Sequence, residues 1–371
     1  MPEIVLTNVT KRFGKFTAVE KLDLTIADGG FVTLLGPSGC GKTTTLRMIA
    51  GLESPTEGEI LINGKPVFSS SKGIDISPNK RDVGFLFQNY ALWPHMTVEQ
   101  NISFGLENLK WDKQKIQARV DELLMTLKID SLGKRYPNEL SGGQQQRVAI
   151  ARTLATGPKV LFMDEPLSNL DAKLRTEMRS ELKRLHTETD STFVYVTHDQ
   201  LEAMTLSTKT CLMKEGIVQQ YAPPLEVYNN PTNIFVADFV GSPTMNFIET
   251  KGRKGNNGEI RLPVSGRELV FSPASAEIPI RDEQPLTLGI RPEFIRIGEG
   301  AVEAKTYAAL PSGMETIVKI RLGELILTAV VFGAIDYKPE TDIRIDFAGD
   351  NCILFDRESG LNLGLGKLTV L

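Results

Sequence analysis

The sequence predicts an α/β domain built around a mostly parallel sheet, followed by a smaller all-β domain. Segments with helical and strand periodicity alternate up to about residue 240, as they do in sheets covered by helices. Beyond that point short strands are separated by turns, as in small barrels and sandwiches. The length of 371 residues agrees with this division, since about 150 residues per domain corresponds to two or three domains.

The first part of the chain contains the alternating elements. Strand spacing is found on the face formed by Val19, Leu22, Leu24 and Ile26. Short apolar runs predict buried strands at residues 31–35, 160–163 and 193–196. Apolar positions at helical spacing predict helices at residues 112–127 and 172–188, and shorter helices are expected at 44–50 and 145–155. In the second part, strands are predicted at residues 316–322, 325–332, 342–347 and 352–355.

Composition excludes several classes of protein. Hydrophobic residues make up 41% of the chain and charged residues 24%, which is typical of a globular protein. Forty-two basic and 46 acidic side chains give a net charge of −4, which argues against nucleic acid as a partner. The three cysteines are too scattered for a disulfide framework. Without a long apolar span or a secretion signal, a cytosolic location is expected.

A glycine-rich segment predicts a phosphate-binding loop, because it matches G-x-x-x-x-G-K-[ST] between a predicted strand and a predicted helix. Backbone N–H groups of such a loop surround phosphate oxygens, Lys42 reaches the outer phosphates, and the Thr43 hydroxyl can ligate Mg²⁺. We also expect the neighbouring Lys42 to lower the pKa of the Cys40 thiol. The ATP-binding candidates here are Gly36, Pro37, Ser38, Gly39, Cys40, Gly41, Lys42, Thr43 and Thr44.

Two carboxylates follow the predicted strand at residues 160–163. Asp164 is expected at the strand's end, where it can hold Mg²⁺ or its water. Glu165 is expected to polarise the water that attacks the γ-phosphate. An acidic pair after a strand is often only a solvated turn, so this interpretation depends on the phosphate loop upstream.

A third motif, Ser141, Gly142, Gly143 and Gln144, precedes a predicted helix. Ser141 is a good N-cap, and the glycines expose N–H groups at the positive end of the helix. The motif therefore predicts a second anion-binding cradle.

Together these residues resemble the nucleotide-binding subunits of ABC transporters over about the first 235 residues. The resemblance implies that Gln88 contacts Mg²⁺ and the attacking water, and that His198 is a catalytic histidine beside the γ-phosphate. Ser168 and Asp171 match the loop that crosses to the opposite protomer. Phe13 takes the place of the aromatic residue that stacks on adenine, which is more often Tyr.

The same resemblance implies the domain organisation and the partners. An α/β P-loop NTPase domain is expected at residues 1–235, with a helical subdomain at about 89–155, and an all-β OB-like regulatory domain at 236–371. Two protomers would form a head-to-tail homodimer, in which Ser141–Gln144 of one chain contacts ATP bound to the other. Such a dimer would sit on the cytoplasmic face of the membrane against two integral permease subunits, and would act indirectly with an extracytoplasmic solute-binding protein.

The segment from Tyr90 to Val98 combines large apolar side chains with a proline, which fits either a docking site or a locally buried loop. The resemblance implies docking, since this region in related importers receives a short coupling helix from the membrane subunit. The junction at residues 235–247 resembles that of maltose-type carbohydrate importers, as does the segment 288–293. Sugar is therefore the expected cargo, and polyamine, sulfate, molybdate and ferric iron remain alternatives. A soluble ABC protein without a transport role, or an ATPase carrying a small-molecule sensor, is a further alternative.

Overall fold

The computed structural model describes residues 3–189, 191–255, 258–274, 278–349 and 351–370. The chain forms two compact units that divide between Pro224 and Leu225. The functional boundary between residues 235 and 236 stays a prediction.

Within residues 3–189 and 191–224, the first unit contains two sheets and six α-helices. Its strands are β1 (Ile4–Phe13), β2 (Phe16–Ile26), β3 (Phe31–Leu35), β4 (Glu57–Ile62), β5 (Lys65–Ser69), β6 (Ile74–Asp75), β7 (Val83–Leu86), β8 (Val160–Asp164), β9 (Thr192–Val196), β10 (Lys209–Lys214) and β11 (Ile217–Ala222). Its helices are α1 (Lys42–Ala50), α2 (Val98–Asn108), α3 (Lys113–Thr126), α4 (Gly142–Ala155), α5 (Ala172–Glu188) and α6 (Gln200–Leu206).

The larger sheet has the order β11-β10-β3-β9-β8-β7, and all its strand pairs are parallel except β10 with β11. Every residue of β3, β8 and β9 is buried. Alternate residues enter two different apolar cores: Phe193 and Tyr195 pack among the helices α2–α5, whereas Val194 and Val196 pack with α1 and the second sheet. This arrangement fixes the carboxyl ends of the three strands at one edge.

The second sheet, with the order β2-β1-β4-β5-β6, is antiparallel. The strand spacing predicted at Val19, Leu22, Leu24 and Ile26 lies in β2, but the sequence did not predict a separate sheet. Three register irregularities interrupt the pairing of β1 with β2. Such irregularities break the alternation of inward and outward side chains along β1, so periodicity alone does not reveal that strand.

The predicted helices at 112–127 and 172–188 are confirmed as α3 and α5. Each begins after an aspartate that caps it: Asp112 Oδ1 accepts from the backbone N–H of Gln114 at 2.9 Å, and Asp171 Oδ1 accepts from that of Leu174 at 3.0 Å.

The second unit is mostly β. Its elements are α7 (Pro224–Asn229), which begins at the last residue of the first unit, α8 (Ile234–Phe239), β12 (Asn246–Lys254), β13 (Ile260–Val264), β14 (Arg267–Pro273), β15 (Gln284–Ile290), β16 (Ile295–Pro311), β17 (Glu315–Leu322), β18 (Leu325–Phe332), β19 (Asp342–Phe347), β20 (Cys352–Asp356) and β21 (Asn362–Val370). Strands β12-β13-β14-β21-β20-β15 close into a barrel, and β18-β17-β16-β19 form a separate sheet over a shared apolar core. The predicted barrel is present, together with a sheet that makes the unit larger than a barrel alone.

A buried arginine organises the start of this unit. Arg291 is 2% exposed, and its guanidinium donates to the carbonyls of Ala237 at 3.1 Å and Tyr228 at 2.8 Å. It also lies 4.0 Å from the centre of the Tyr228 ring. Arg291 thus ties the helices α7 and α8 to the end of β15.

Across the described ranges, no helix combines the length and the apolar character needed to span a membrane.

Candidate nucleotide-binding and catalytic site

The phosphate loop leaves the fully buried strand β3 and turns into α1. Gly36, Gly39 and Gly41 have φ of +147°, +80° and +101°, a region that side chains with a Cβ rarely adopt. At Gly41 a Cβ would lie 2.5 Å from the carbonyl oxygen of Ala18, so glycine is required there for a second reason. The glycines therefore let the backbone N–H groups of the loop approach a bound phosphate at the N-terminus of α1.

Lys42 is held inside this loop. Its side chain is buried, and Nζ donates to the carbonyl oxygens of Gly36 at 2.7 Å and Pro37 at 2.9 Å. The ammonium is therefore positioned at the loop, where phosphate oxygens are expected.

A cavity of about 280 Å³ lies against the loop. Its lining comprises Phe13, Phe16, Ala18, Ser38, Gly39, Cys40, Gly41, Lys42, Thr43, Thr44 and Glu165. The sequence identified Phe13 as the aromatic candidate but missed Phe16, which pairs with it across the β1–β2 turn. Both rings are exposed, at 47% and 61%, as expected for side chains that stack on a ligand. Phe16 could have been found from the sequence, because only Gly14 and Lys15 separate it from Phe13.

Thr43 and Asp164 are brought together at the end of β8. The Thr43 hydroxyl donates to Asp164 Oδ1 at 2.9 Å, and Asp164 is only 5% exposed. Arg47 lies 3.4 Å from the other carboxylate oxygen. A hydroxyl and a carboxylate are hard oxygen donors, which suit Mg²⁺ when phosphate oxygens complete the coordination. The described residues hold no cluster of three or more acidic, His or Cys side chains that could bind a metal alone.

Glu165 lies at the centre of the predicted catalytic residues. Its Oε2 is 3.2 Å from His198 Nδ1 and 3.5 Å from Gln88 Nε2. Its backbone is fixed by a hydrogen bond of 3.1 Å from its N–H to the carbonyl of Val196, the last residue of β9. The ends of β8 and β9 and the segment after β7 thus bring the three side chains around one carboxylate oxygen.

The predicted dimer loop contacts Gln88 and Glu165. Ser168 Oγ accepts from Gln88 Nε2 at 3.3 Å and donates to the carbonyl of Glu165 at 2.9 Å. Asn169, which the sequence did not single out, donates from Nδ2 to the backbone carbonyl of Gln88 at 3.0 Å. The side chain of Asp171 instead caps α5.

The motif at residues 141–144 forms the N-terminus of α4. Ser141 is the N-cap, as predicted, and completes a reciprocal capping box with Gln144. A Cβ on Gly142 would meet only Leu170 Cδ2, at 3.8 Å, whereas one on Gly143 would collide with the Leu174 side chain. The motif contributes no residue to the lining of the cavity at the phosphate loop.

The expectation for Cys40 is wrong. Burial raises the pKa of the Cys40 thiol above its ordinary value of 9.0, because desolvation of the thiolate outweighs the attraction of Lys42. The residue is 2% exposed, and Lys42 Nζ lies 3.7 Å from its sulfur.

The segment from Tyr90 to Val98 has a defined structure that is not helical until Val98, where α2 begins. The buried Asn101 side chain accepts from the Trp93 N–H at 2.9 Å and donates to the carbonyls of Trp93 and Met96, both at 3.1 Å. The Trp93 ring packs 4.4 Å from the Phe104 ring and 4.8 Å from the Arg152 guanidinium. Trp93 is therefore partly structural; Met96 is also half-buried, and His95 is exposed.

The loop, the Thr43–Asp164 pair and the carboxylate at Glu165 define a P-loop enzyme that hydrolyses nucleoside triphosphates. Residues 19–168 match the family described as ABC transporter, and residues 241–295 match the MalK OB fold domain. The chain therefore belongs to the family of ATP-binding subunits of ABC transporters, in its importer branch, and it is an ATPase.

Relatives match nearly the whole chain. The trehalose/maltose import ATP-binding protein MalK of Thermococcus litoralis is 42% identical over 385 residues, which cover 97% of this chain and 99% of that protein. The sn-glycerol-3-phosphate import ATP-binding protein UgpC of Escherichia coli is 42% identical over 97% of this chain and 99% of its own. The osmoprotective compounds uptake ATP-binding protein GgtA of Synechocystis is 41% identical over 96% of this chain and 95% of that protein.

Solved structures match the first unit. An ATP-binding cassette in a dimeric, post-hydrolysis state with ADP and Pi is 34% identical, with a TM-score of 0.52 over 60% of this chain and 98% of that one. The cbiO1 protein of Clostridium perfringens is 32% identical, with a TM-score of 0.56 over 60% of this chain and 89% of that one.

Proposed function

We propose that this chain powers the import of a sugar or sugar derivative, as a homodimer that closes on ATP and Mg²⁺ beneath two permease subunits. The observation that carries the proposal is the division of the anion-binding groups. The phosphate loop, Thr43–Asp164 and Glu165 meet in one place, whereas the cradle at Ser141 contributes nothing to that cavity. A second protomer is the simplest source of the missing cradle.

The chemistry of each site follows from the positions of its side chains. The loop N–H groups and Lys42 neutralise the phosphate oxygens, and Thr43 with Asp164 would hold Mg²⁺. When bound, Mg²⁺ would further neutralise the charge that develops during phosphoryl transfer. Glu165 orients and polarises the attacking water, and Gln88 and His198 fix the direction of its carboxylate.

In the proposed dimer, the partner's Ser141–Gln144 cradle closes over the γ-phosphate. The N-terminus of a helix stabilises an anion there through its free N–H groups and its dipole. Hydrolysis then depends on closure, because phosphoryl transfer requires mainly positioning and charge stabilisation. Opening after hydrolysis is the mechanical step passed to the permeases, on the cytoplasmic face of the membrane.

A crosslinking experiment tests the head-to-tail arrangement. One full-length chain carries Ser38→Cys and another, of different tag length, carries Gly142→Cys, both with Glu165→Gln to slow hydrolysis. With ATP and Mg²⁺ under mild oxidation, we expect a disulfide between the two different chains. A crosslink between two Gly142→Cys chains, or none in the mixture despite ATP binding, would contradict the arrangement.

A second variant tests the cradle without disturbing the fold. Because a Cβ at Gly142 meets only one distant atom, Gly142→Ala should keep its activity, whereas Gly142→Arg should block the cradle. We expect Gly142→Arg to lose hydrolysis by at least about 100-fold while a fluorescent ATP analogue still binds. Full hydrolysis by Gly142→Arg would remove the cradle from the mechanism.

The match to the MalK OB fold domain and the names of the relatives support sugar as the cargo. The relative named for sn-glycerol-3-phosphate import supports the wider class of polyol and sugar derivatives. The test is reconstitution with the permeases encoded beside this chain: a loaded solute-binding protein should stimulate ATP hydrolysis with a sugar ligand. Stimulation by a polyamine or an oxyanion alone would assign one of the other cargoes.

A further inference from the structure

Arg175 contacts both the proposed dimer loop and the segment that carries His198. It lies in the first turn of α5, directly after Ser168–Asp171. Its Nη2 donates to the carbonyl of Leu170, inside that loop, at 3.1 Å. On its other side, Nη1 donates to Asp199 Oδ2 at 3.4 Å. One guanidinium thus bridges two loops that both reach the catalytic carboxylate.

The His198 segment is fixed by a buried carboxylate, Glu202, which is 3% exposed. Glu202 Oε2 accepts from Thr197 Oγ1 at 2.6 Å and from the Tyr195 hydroxyl at 2.8 Å. Thr197 Oγ1 in turn accepts from the Asp199 N–H at 2.9 Å. The residues immediately before and after His198 are therefore held by the same group of side chains.

Arg175 and Glu202 are close without being hydrogen-bonded. Arg175 Nε is buried and has no hydrogen-bond partner, and it lies 4.0 Å from Glu202 Oε1. A displacement of about 1 Å would form a charge-assisted hydrogen bond, which is about twice as strong as a neutral one. The pair can therefore respond to a small movement of the dimer loop.

We propose that Arg175 is a positioning residue that transmits contact at Ser168–Asp171 to the orientation of His198 beside Glu165. The inference rests on the proposed function, in which a second protomer contacts that loop. Movement of Leu170 shifts the guanidinium toward Glu202, and Glu202 holds Thr197 and Asp199 on either side of the histidine. Hydrolysis thereby becomes sensitive to the presence of the partner.

The first test compares two arginines of α5 in the full-length protein. Arg179 lies one turn further on and donates to Thr176 on the same helix, so Arg179→Met is the matched control. We expect Arg175→Met to lower kcat by about 10- to 100-fold, since an error of about 1 Å in position has such effects, with the KM for ATP changed less than about twofold. An unchanged kcat, or an equal loss in Arg179→Met, would overturn the inference.

The second test asks whether Arg175 acts through His198. Single-turnover hydrolysis is measured for Arg175→Met, His198→Ala and the double variant, all with Glu165 intact, and Glu165→Gln gives the residual rate that is subtracted. The double variant should hydrolyse ATP no more slowly than His198→Ala, whereas multiplied losses would show that Arg175 acts elsewhere. Full activity of His198→Ala would instead overturn the proposed catalytic site, and the inference with it.

If Arg175→Met fails to fold, as judged by its melting temperature, Glu202→Gln replaces it. The glutamine oxygen can still accept from Thr197 and Tyr195, but its charge toward Arg175 is lost. The same fall in kcat, absent in the His198→Ala background, would support the inference. Wild-type kcat in a folded Glu202→Gln protein would overturn it.

Discussion

Thr43 donates a hydrogen bond of 2.9 Å to Asp164, although 121 positions separate the two residues in the sequence. Thr43 lies in the first turn of α1, which follows β3, and Asp164 ends the buried strand β8, which is separated from β3 by β9. The parallel sheet brings them together because its carboxyl ends lie at one edge. This contact is what makes the pair a candidate for binding Mg²⁺.

Replacing Asp164 should therefore raise the Mg²⁺ requirement. Asp164→Asn keeps an oxygen to accept from Thr43 but removes the charge, so we expect the Mg²⁺ concentration for half-maximal ATPase activity to rise at least about tenfold. Thr43→Ser, which keeps the hydroxyl, is the control. A Mg²⁺ titration that is the same in Asp164→Asn and in the unmodified protein would refute this role.

Replacing Glu165 by Gln should trap the dimer. The amide cannot polarise water as the carboxylate does, so hydrolysis should fall by at least about 100-fold while ATP still binds. Size-exclusion chromatography with ATP and Mg²⁺ should then show a dimer. Glu177→Gln, an exposed carboxylate on α5, should behave as the unmodified protein. Rapid hydrolysis by Glu165→Gln would remove Glu165 from the mechanism.

The raised pKa of Cys40 predicts a slow and strongly pH-dependent thiol. A thiol alkylates through its thiolate, and burial shifts the formation of that thiolate above pH 9.0. The rate with iodoacetamide should therefore keep rising to a higher pH than the rate of free cysteine does, and ATP should lower it further. Cys40→Ser identifies the reacting residue by mass spectrometry. A rate that levels off below pH 9, or that saturating ATP leaves unchanged, would contradict this.

Permease docking is best tested at Met96. Trp93 packs against Phe104 and Arg152, so a charge there would damage the fold as well as the surface. Met96→Glu changes a half-buried side chain whose backbone is still held by Asn101. We expect this variant to bind ATP normally and to lose co-purification with the permeases, whereas Met125→Glu on the exposed face of α3 should retain it. Retained assembly of Met96→Glu would argue against the docking site.

The sequence was sufficient to predict the helices and strands whose signals lie in neighbouring residues. The helix α5 has the predicted bounds, because Asp171 caps it and Met178, Leu182 and Leu185 form one buried stripe. Strand β3 likewise has its predicted bounds, because five buried residues lead into a glycine-rich turn. Periodicity and capping are properties of neighbouring residues, so a single sequence contains them.

What the sequence could not supply depends on distant parts of the chain. The bond from Asn169 to Gln88 joins residues 81 positions apart, and no local pattern announces it. The pKa of Cys40 was predicted in the wrong direction because adjacency to Lys42 is visible in the sequence, whereas burial by the surrounding strands is not. The residues of the site were therefore found more readily than their contacts.

The backbone of Glu165 is strained, and the side chain that the proposed chemistry needs prevents relief of that strain. Its φ of +46° lies in the left-handed region, which disfavours a side chain with a Cβ by about 1 kcal/mol. Glycine would relieve that strain, so Glu165→Gly should melt at a higher temperature than the working enzyme while hydrolysing almost nothing. The carboxylate that ATP hydrolysis requires is therefore kept at the expense of some thermal stability.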